Sequence, residues 1–238
     1  MPEIVLETVG LTMNFGGVVA SDNVDFRLKE GELRCLIGPN GAGKSTFFKC
    51  IAGLQIPSSG QVFMRGQETT HWTSHQVASL GVGIKTQVPS VLDSLSVFEN
   101  IWLAARRFMS KAEANDKTHQ VIERFSLQPI VNSDLGRLAH GERQRVELGM
   151  VTVADPWLIL LDEPAAGMTA EEVDKIGEVI TELTNFSSII IVEHDMQFIR
   201  SIASTVTVFH QGRVLMEDNV DVVMSDPVLR EIYLGKKP

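Results

Sequence analysis

Residues 38–46 read GPNGAGKST, a run that suits few folds because it must leave a buried strand, turn tightly and open a helix. Residues 32–37 (ELRCLI) supply the short apolar strand, and residues 46–53 (TFFKCIAG) continue as the helix. Gly38, Gly41 and Gly43 let the backbone turn and approach phosphate oxygens closely, so that successive amide N–H groups and the helix N-terminus face an anion. Lys44 directs a point charge at the β- and γ-phosphates of a nucleotide. The Ser45 hydroxyl offers the hard oxygen that Mg²⁺ prefers.

The remaining pattern builds a mixed α/β chain around that loop. Alternation in residues 4–15 and 24–28 predicts antiparallel strands, a small β-layer beside the nucleotide. Residues 60–65 (GQVFMR) predict a further strand, residues 76–80 a helix start, and residues 83–87 (GIKTQ) a strand end, after which Pro89 breaks regularity. His71, Trp72 and His75 have no further ligands clustered with them and read as a solvated turn with one anchoring Trp. Residues 96–107 and 112–125 have helical periodicity, with Ser96 and Glu99 at capping-box spacing. A helix over 141–153, an apolar strand over 157–161 (WLILL), a helix over 170–183 and strands over 188–192, 205–209 and 213–216 follow. Gln211-Gly212 joins the last two strands as a hairpin.

The fold class expected is therefore α/β: a phosphate-loop NTPase core with a mixed central sheet, an antiparallel β subdomain and a helical subdomain. One domain is expected over residues 1–238, with the nucleotide-binding core at approximately 1–88 and 154–238 and the helical subdomain at approximately 89–153.

Composition narrows the classes. A formal charge of −9 argues against a nucleic-acid partner. No apolar run approaches the roughly 20 residues of a membrane helix, and residues 1–10, with Glu3 and Glu7, do not read as a leader. A cytoplasmic protein is expected. Cys35 and Cys50 lack metal-ligand spacing and read as small core residues.

A second constellation supplies the chemistry. The apolar strand ending in LILLD delivers Asp162 and then Glu163 at its carboxyl end, where ligands sit in open α/β sheets. Asp162 would hold the Mg²⁺ hydration shell, and Glu163 would orient and deprotonate the attacking water. His194, after the strand 188–192, stands at the same kind of edge and suits a γ-phosphate contact. Gln87 ends its own strand with an amide that can reach Mg²⁺ or the water. Residues 138–142 (LAHGE) precede a helix, and Gly141 there presents free N–H donors and a positive dipole end to a phosphate of another molecule.

The order phosphate loop, Gln87, LAHGE, LILLDEP and EHD resembles the ATP-binding cassette (ABC) ATPases over essentially the whole chain. In that family two cassettes meet head to tail, each ATP lying between one chain's phosphate loop and the other's signature motif, and closure drives transport through membrane subunits. The resemblance implies ATP and Mg²⁺ as ligands. Gly38, Asn40, Gly41, Gly43, Lys44, Ser45 and Thr46 would hold the phosphates; Ser45, Gln87 and Asp162 would hold the metal. Glu163, His194 and Gln87 would form the hydrolytic set, Phe15 would stack on adenine, and Ala139 and Gly141 would meet the partner's nucleotide. The implied partners are integral permease subunits, a second cassette and, indirectly, a solute-binding protein, with the chain peripheral on the inner face of the membrane.

Within the family, PAAGMT (164–169), VFEN (97–100), VEHDM (192–196) and EIYLG (231–235) are similar to importers of hydrophobic amino acids and amides. GELRCLIGPNGAGK, His140 and VTVFHQGRVL (206–215) are most similar to the urea-transport cassette, although branched-chain amino acid cassettes share most of these features. Two departures stand out. The usual signature is LSGGQ, and here Ala139 replaces its Ser while Glu142 replaces its Gln, a lost hydrogen bond to a charged group that costs on the order of 1.5–3 kcal/mol. Thr169 stands where many cassettes carry an Asp. Because signatures act in trans, the chain is expected to pair with a different cassette, whose nucleotide would bear that loss. The alternatives are a soluble ABC-type ATPase, which would usually carry a coiled-coil insertion or two cassettes, and a nucleotide-sensing regulatory subunit, against which Glu163 and His194 speak.

Overall fold

The structure, a computed structural model, describes residues 3–87 and 91–227. Strands β1 (Ile4–Phe15) and β2 (Val18–Lys29) form an antiparallel hairpin closed at Gly16-Gly17, with Phe15 paired to Val18. The second strand therefore starts six residues before the expected Val24. Asn23 at φ 52° and register shifts along β1 interrupt its side-chain alternation, which hid it from a period-two reading.

β3 (Leu33–Ile37) leads into the phosphate loop and α1 (Lys44–Ile51). β4 (Ser59–Met64) and the short β5 (Gln67–Glu68) complete a four-stranded sheet of order β2-β1-β4-β5. α2 (Ser74–Ser79) starts behind a Thr73/Gln76 capping box, and β6 (Val82–Lys85) follows. The expected helices appear as α3 (Val97–Arg106) and α4 (Lys111–Arg124), each opened by a capping box, Ser96/Glu99 and Ser110/Glu113. α5 (His140–Thr152) starts one residue earlier than expected: Ala139 is its N-cap, and Gly141 is a buried residue of its first turn.

β7 (Leu158–Asp162), α6 (Ala170–Leu183) and β8 (Ser188–Val192) lie where the pattern placed them. α7 (Met196–Ile202), capped by the Asp195 carboxylate, was not foreseen. β9 (Thr205–His210) and β10 (Arg213–Asn219) form the expected hairpin, and α8 (Val220–Ser225) follows. Gln211 and Gly212 both have positive φ, 49° and 79°, which matches the right-handed twist of the flanking strands. Pro89 and the EIYLG segment lie outside the described residues.

The second sheet has the order β10-β9-β3-β8-β7-β6, parallel except for β10. Every residue of β3, β7 and β8 is buried, as a parallel sheet covered on both faces demands. On one face Leu36, Leu160 and Ile190 pack with Phe47 and Phe48 of α1 and with the antiparallel sheet. On the other, Cys35, Leu161 and Ile191 join a core that runs without a break into Ile101, Val121 and Val146 of the helices. Burial of this order, at about 25 cal/mol per Å² of apolar surface, supplies the main driving force of the fold. Both cysteines are buried and free, and burial pushes the Cys50 thiol up to about 11.

Candidate active site

Parallel pairing puts the carboxyl ends of β3, β6, β7 and β8 on one rim, which is where Lys44, Gln87, Asp162, Glu163 and His194 all emerge. The phosphate loop is wedged between two other backbones. A Cβ at Gly38 would come within 2.2 Å of the Phe209 carbonyl, and one at Gly43 within 2.3 Å of the Ala20 carbonyl. Those glycines are thus required by packing as well as by φ. Gly41, at φ 77°, faces open space, and Asn40 beside it is exposed, so the outer side of the loop is free for an anion. Lys44 Nζ donates to the carbonyls of Gly38 at 2.6 Å and Pro39 at 3.1 Å, which folds the ammonium back into its own loop. Burial lowers its pKa, opposed by the carboxylates of Glu163 and Asp162.

Glu163 sits just past β7 in the left-handed region at φ 49°, with its N–H held by the Val192 carbonyl at 2.9 Å. A non-glycine residue held there stores strain that the surroundings must offset. The consequence is that the carboxylate turns out of the sheet toward two of the other candidates. Gln87 Nε2 donates to Glu163 Oε2 at 3.2 Å, and His194 Nδ1 lies 3.6 Å from Glu163 Oε1. The Gln87 amide and the His194 imidazole, each two residues past the end of its strand, therefore converge on the Glu163 carboxylate.

Asp162 stays inside the rim. Desolvation raises its pKa and the Glu163 charge adds to the rise, while Lys49, Lys85 and Lys44 pull it down. Among the described residues no group of three or more His, Cys, Asp or Glu side chains could cage a metal. The donor set fits Mg²⁺ all the same, because that ion is held by one or two protein oxygens plus substrate phosphates and water, and Ser45 and Asp162 are such oxygens. Phe15, 45% exposed, ends β1 on the hairpin whose Ala20 packs against Gly43. Ser45 is exposed on the first turn of α1 and Thr46 half-buried beside it.

Ala139 and Gly141 do not join this cluster; the start of α5 packs instead on the segment 166–172. Ala139 has no side-chain acceptor, so only the reciprocal half of a capping box survives, the Glu142 carboxylate accepting the Ala139 N–H at 3.1 Å. Replacing Ala139→Ser should restore the missing half and raise the free energy of unfolding by about 0.5–2 kcal/mol, read from the denaturant midpoint. An unchanged midpoint would show that the helix start is already satisfied. Thr169 does have a structural task, capping α6 in a complete box with Glu172.

Three residues of the site escaped the sequence reading. Glu193, buried, accepts the N–H groups of His194 at 2.8 Å and Ala165 at 3.3 Å and so ties the loop after Glu163 to the one that carries His194. Lys85 on β6 and Glu147 on α5 form a buried ion pair at 3.5 Å. A lone lysine inside an apolar strand was the available signal for that pair. Burial lowers the Lys85 pKa, and Glu147 opposes this most strongly.

Comparison with known proteins agrees with the geometry. A family model described as ABC transporter matches residues 21–166. The high-affinity branched-chain amino acid transport ATP-binding protein LivG of Escherichia coli is 32% identical, 99% of this chain aligning with 100% of that one. BraF of Pseudomonas aeruginosa, of the same description, is 30% identical over the same shares. Among solved structures, a nucleotide-free ATP-binding cassette from an ABC transporter has a TM-score of 0.89 at 24% identity, covering 98% of this chain and 100% of that one. A dimeric cassette in a post-hydrolysis state with ADP and Pi has a TM-score of 0.80 at 23% identity, covering 90% and 98%. Both share the fold.

Proposed function

This chain belongs to the ABC transporter family, and on that premise we propose that it is the ATP-hydrolysing cassette of an importer for branched-chain amino acids or short amides such as urea. The observation that carries the chemistry is the Glu163 carboxylate held between Gln87 and His194 at the rim where the phosphate loop opens. ATP would lie with its phosphates along residues 38–46, Lys44 turning from its own carbonyls to the β- and γ-oxygens, and with adenine on Phe15. Mg²⁺, held by Ser45 and Asp162 with Gln87 beside it, would neutralise phosphate charge. Glu163 would take the proton of the attacking water, and His194 would donate to the γ-phosphate, an arrangement in which positioning and electrostatics carry most of the rate.

A second cassette would complete each site through its signature segment. Transport requires membrane subunits, since no helix among the described residues is long and apolar enough to cross a membrane. A groove of about 550 Å³ between β6 and helices α2, α3 and α5, lined by Ile84, Ala104, Phe108 and Met150 and by His75 and Arg107, suits a cytoplasmic helix of a permease. It opens beside Thr86, next to Gln87, so docking there would be felt at the rim. The chain would then work on the inner face of the membrane.

The relatives' names favour branched-chain amino acids, and His140 in the signature favours urea. Proteoliposomes carrying this chain, its second cassette, the permeases and the binding protein should take up leucine or urea only with ATP inside and Lys44 intact. Uptake of urea without leucine would select the second solute. ATP hydrolysis indifferent to the permeases, with no uptake of either solute, would refute the importer reading.

A further inference from the structure

The start of α5 is fastened to the segment that follows Glu163 at three places. His140 Nε2 lies 2.8 Å from the Ala166 carbonyl, a distance at which the Nε2–H donates. Gly167, at φ 72°, lies beneath the imidazole, where a Cβ would meet the ring at 3.0 Å. At Gly141 a Cβ would fall within 2.0 Å of Glu172 Oε1, so nothing larger than hydrogen fits between helix and carboxylate. That carboxylate is itself fixed by the N–H and hydroxyl of Thr169, each at 2.9 Å.

The segment reached in this way is short and leads directly to the hydrolytic set. Ala166 N–H donates to the Glu163 carbonyl at 3.3 Å, and Ala165 N–H donates to the Glu193 carboxylate, which also holds the His194 N–H. A shift of the α5 start therefore pulls, through one imidazole, on the turn that sets the Glu163 backbone and on the loop that presents His194. The two ends of this path have different tasks under the function proposed above: the α5 start meets the nucleotide of the partner cassette, whereas Glu163 and His194 act on this chain's own.

We infer that His140 is a positioning residue which transmits occupation of this chain's signature segment by the partner's nucleotide to Glu163 and His194 of its own site. The inference rests on the head-to-tail pairing of that reading. The donor, not the ring, is the required feature, so an amide in its place preserves the link and a methyl group does not.

The assembled transporter in a Glu163→Gln background, in which the proposed function expects ATP to stay bound while turnover is slowed, gives the test. Amide hydrogen exchange of residues 165–169 is measured with and without Mg-ATP in His140, His140→Gln and His140→Ala complexes, and ATP retention is read by filter binding in the same samples. ATP should slow exchange about tenfold, within the usual range of coupling between sites, in the His140 and Gln complexes and leave it unchanged in the Ala complex. Slowing that survives in the Ala complex, or is lost in the Gln complex as well, overturns the inference. Failure of every complex to bind ATP would instead remove the ATPase reading beneath it.

Discussion

Glu163→Gln lowers steady-state ATP hydrolysis by roughly 10²–10⁴-fold, the range associated with loss of a positioned general base, while Mg-ATP remains bound. The amide matches the carboxylate in size and keeps an oxygen for the Gln87 donor, now 3.2 Å away. It cannot accept the water proton. It also removes a negative charge beside Asp162, whose pKa that charge raises, so the rim becomes less repulsive to phosphate. Binding should therefore hold or tighten as turnover falls. Single-turnover hydrolysis set against nucleotide retention separates the two quantities, and a rate within a few-fold of the parent would remove Glu163 from the role of base.

Lys85→Met unfolds more readily by about 3–5 kcal/mol, because it strands a buried carboxylate. The paired side chains are only 3% and 6% exposed. Glu147 has weak alternatives: Arg143 Nε is 3.7 Å from its Oε1, beyond hydrogen-bond reach, and both of those atoms lack a hydrogen-bond partner. Replacing both members, Lys85→Met with Glu147→Leu, should recover most of the loss, since well-packed apolar pairs often match buried ion pairs in stability. Denaturant midpoints of the four proteins of the cycle give the coupling energy directly. A single-mutant loss below about 1 kcal/mol, the level of an exposed pair, would mean that Arg143 moves in to hold Glu147. The double mutant would still lack a cation near Asp162, so recovered stability without recovered turnover would identify Lys85 as a contributor to the rim's electrostatics.

Much of the site was legible in the chain because its signals are local. A phosphate loop, an apolar strand ending in two acids and a capping box such as Ser96/Glu99 are each complete within a few residues, and each lies where it was expected. The weaker predictions fail where local rules are interrupted. β2 was read as starting six residues too late because bulges break its alternation, and α7 was missed because its seven residues are too few to show a period.

The residues by themselves determined which groups are candidates for the chemistry and that strand ends would carry them, since residue type and spacing already specify a phosphate cradle and a pair of carboxylates. Only the tertiary structure decided how those groups meet. Parallel pairing brings Gln87, Glu163 and His194 to one rim, the left-handed backbone at Glu163 aims its carboxylate between the other two, and His140 reaches Ala166 across 26 positions of chain. Contacts of that kind leave no periodic trace in a sequence, because the energy that selects them comes from burial and pairing between segments distant along the chain.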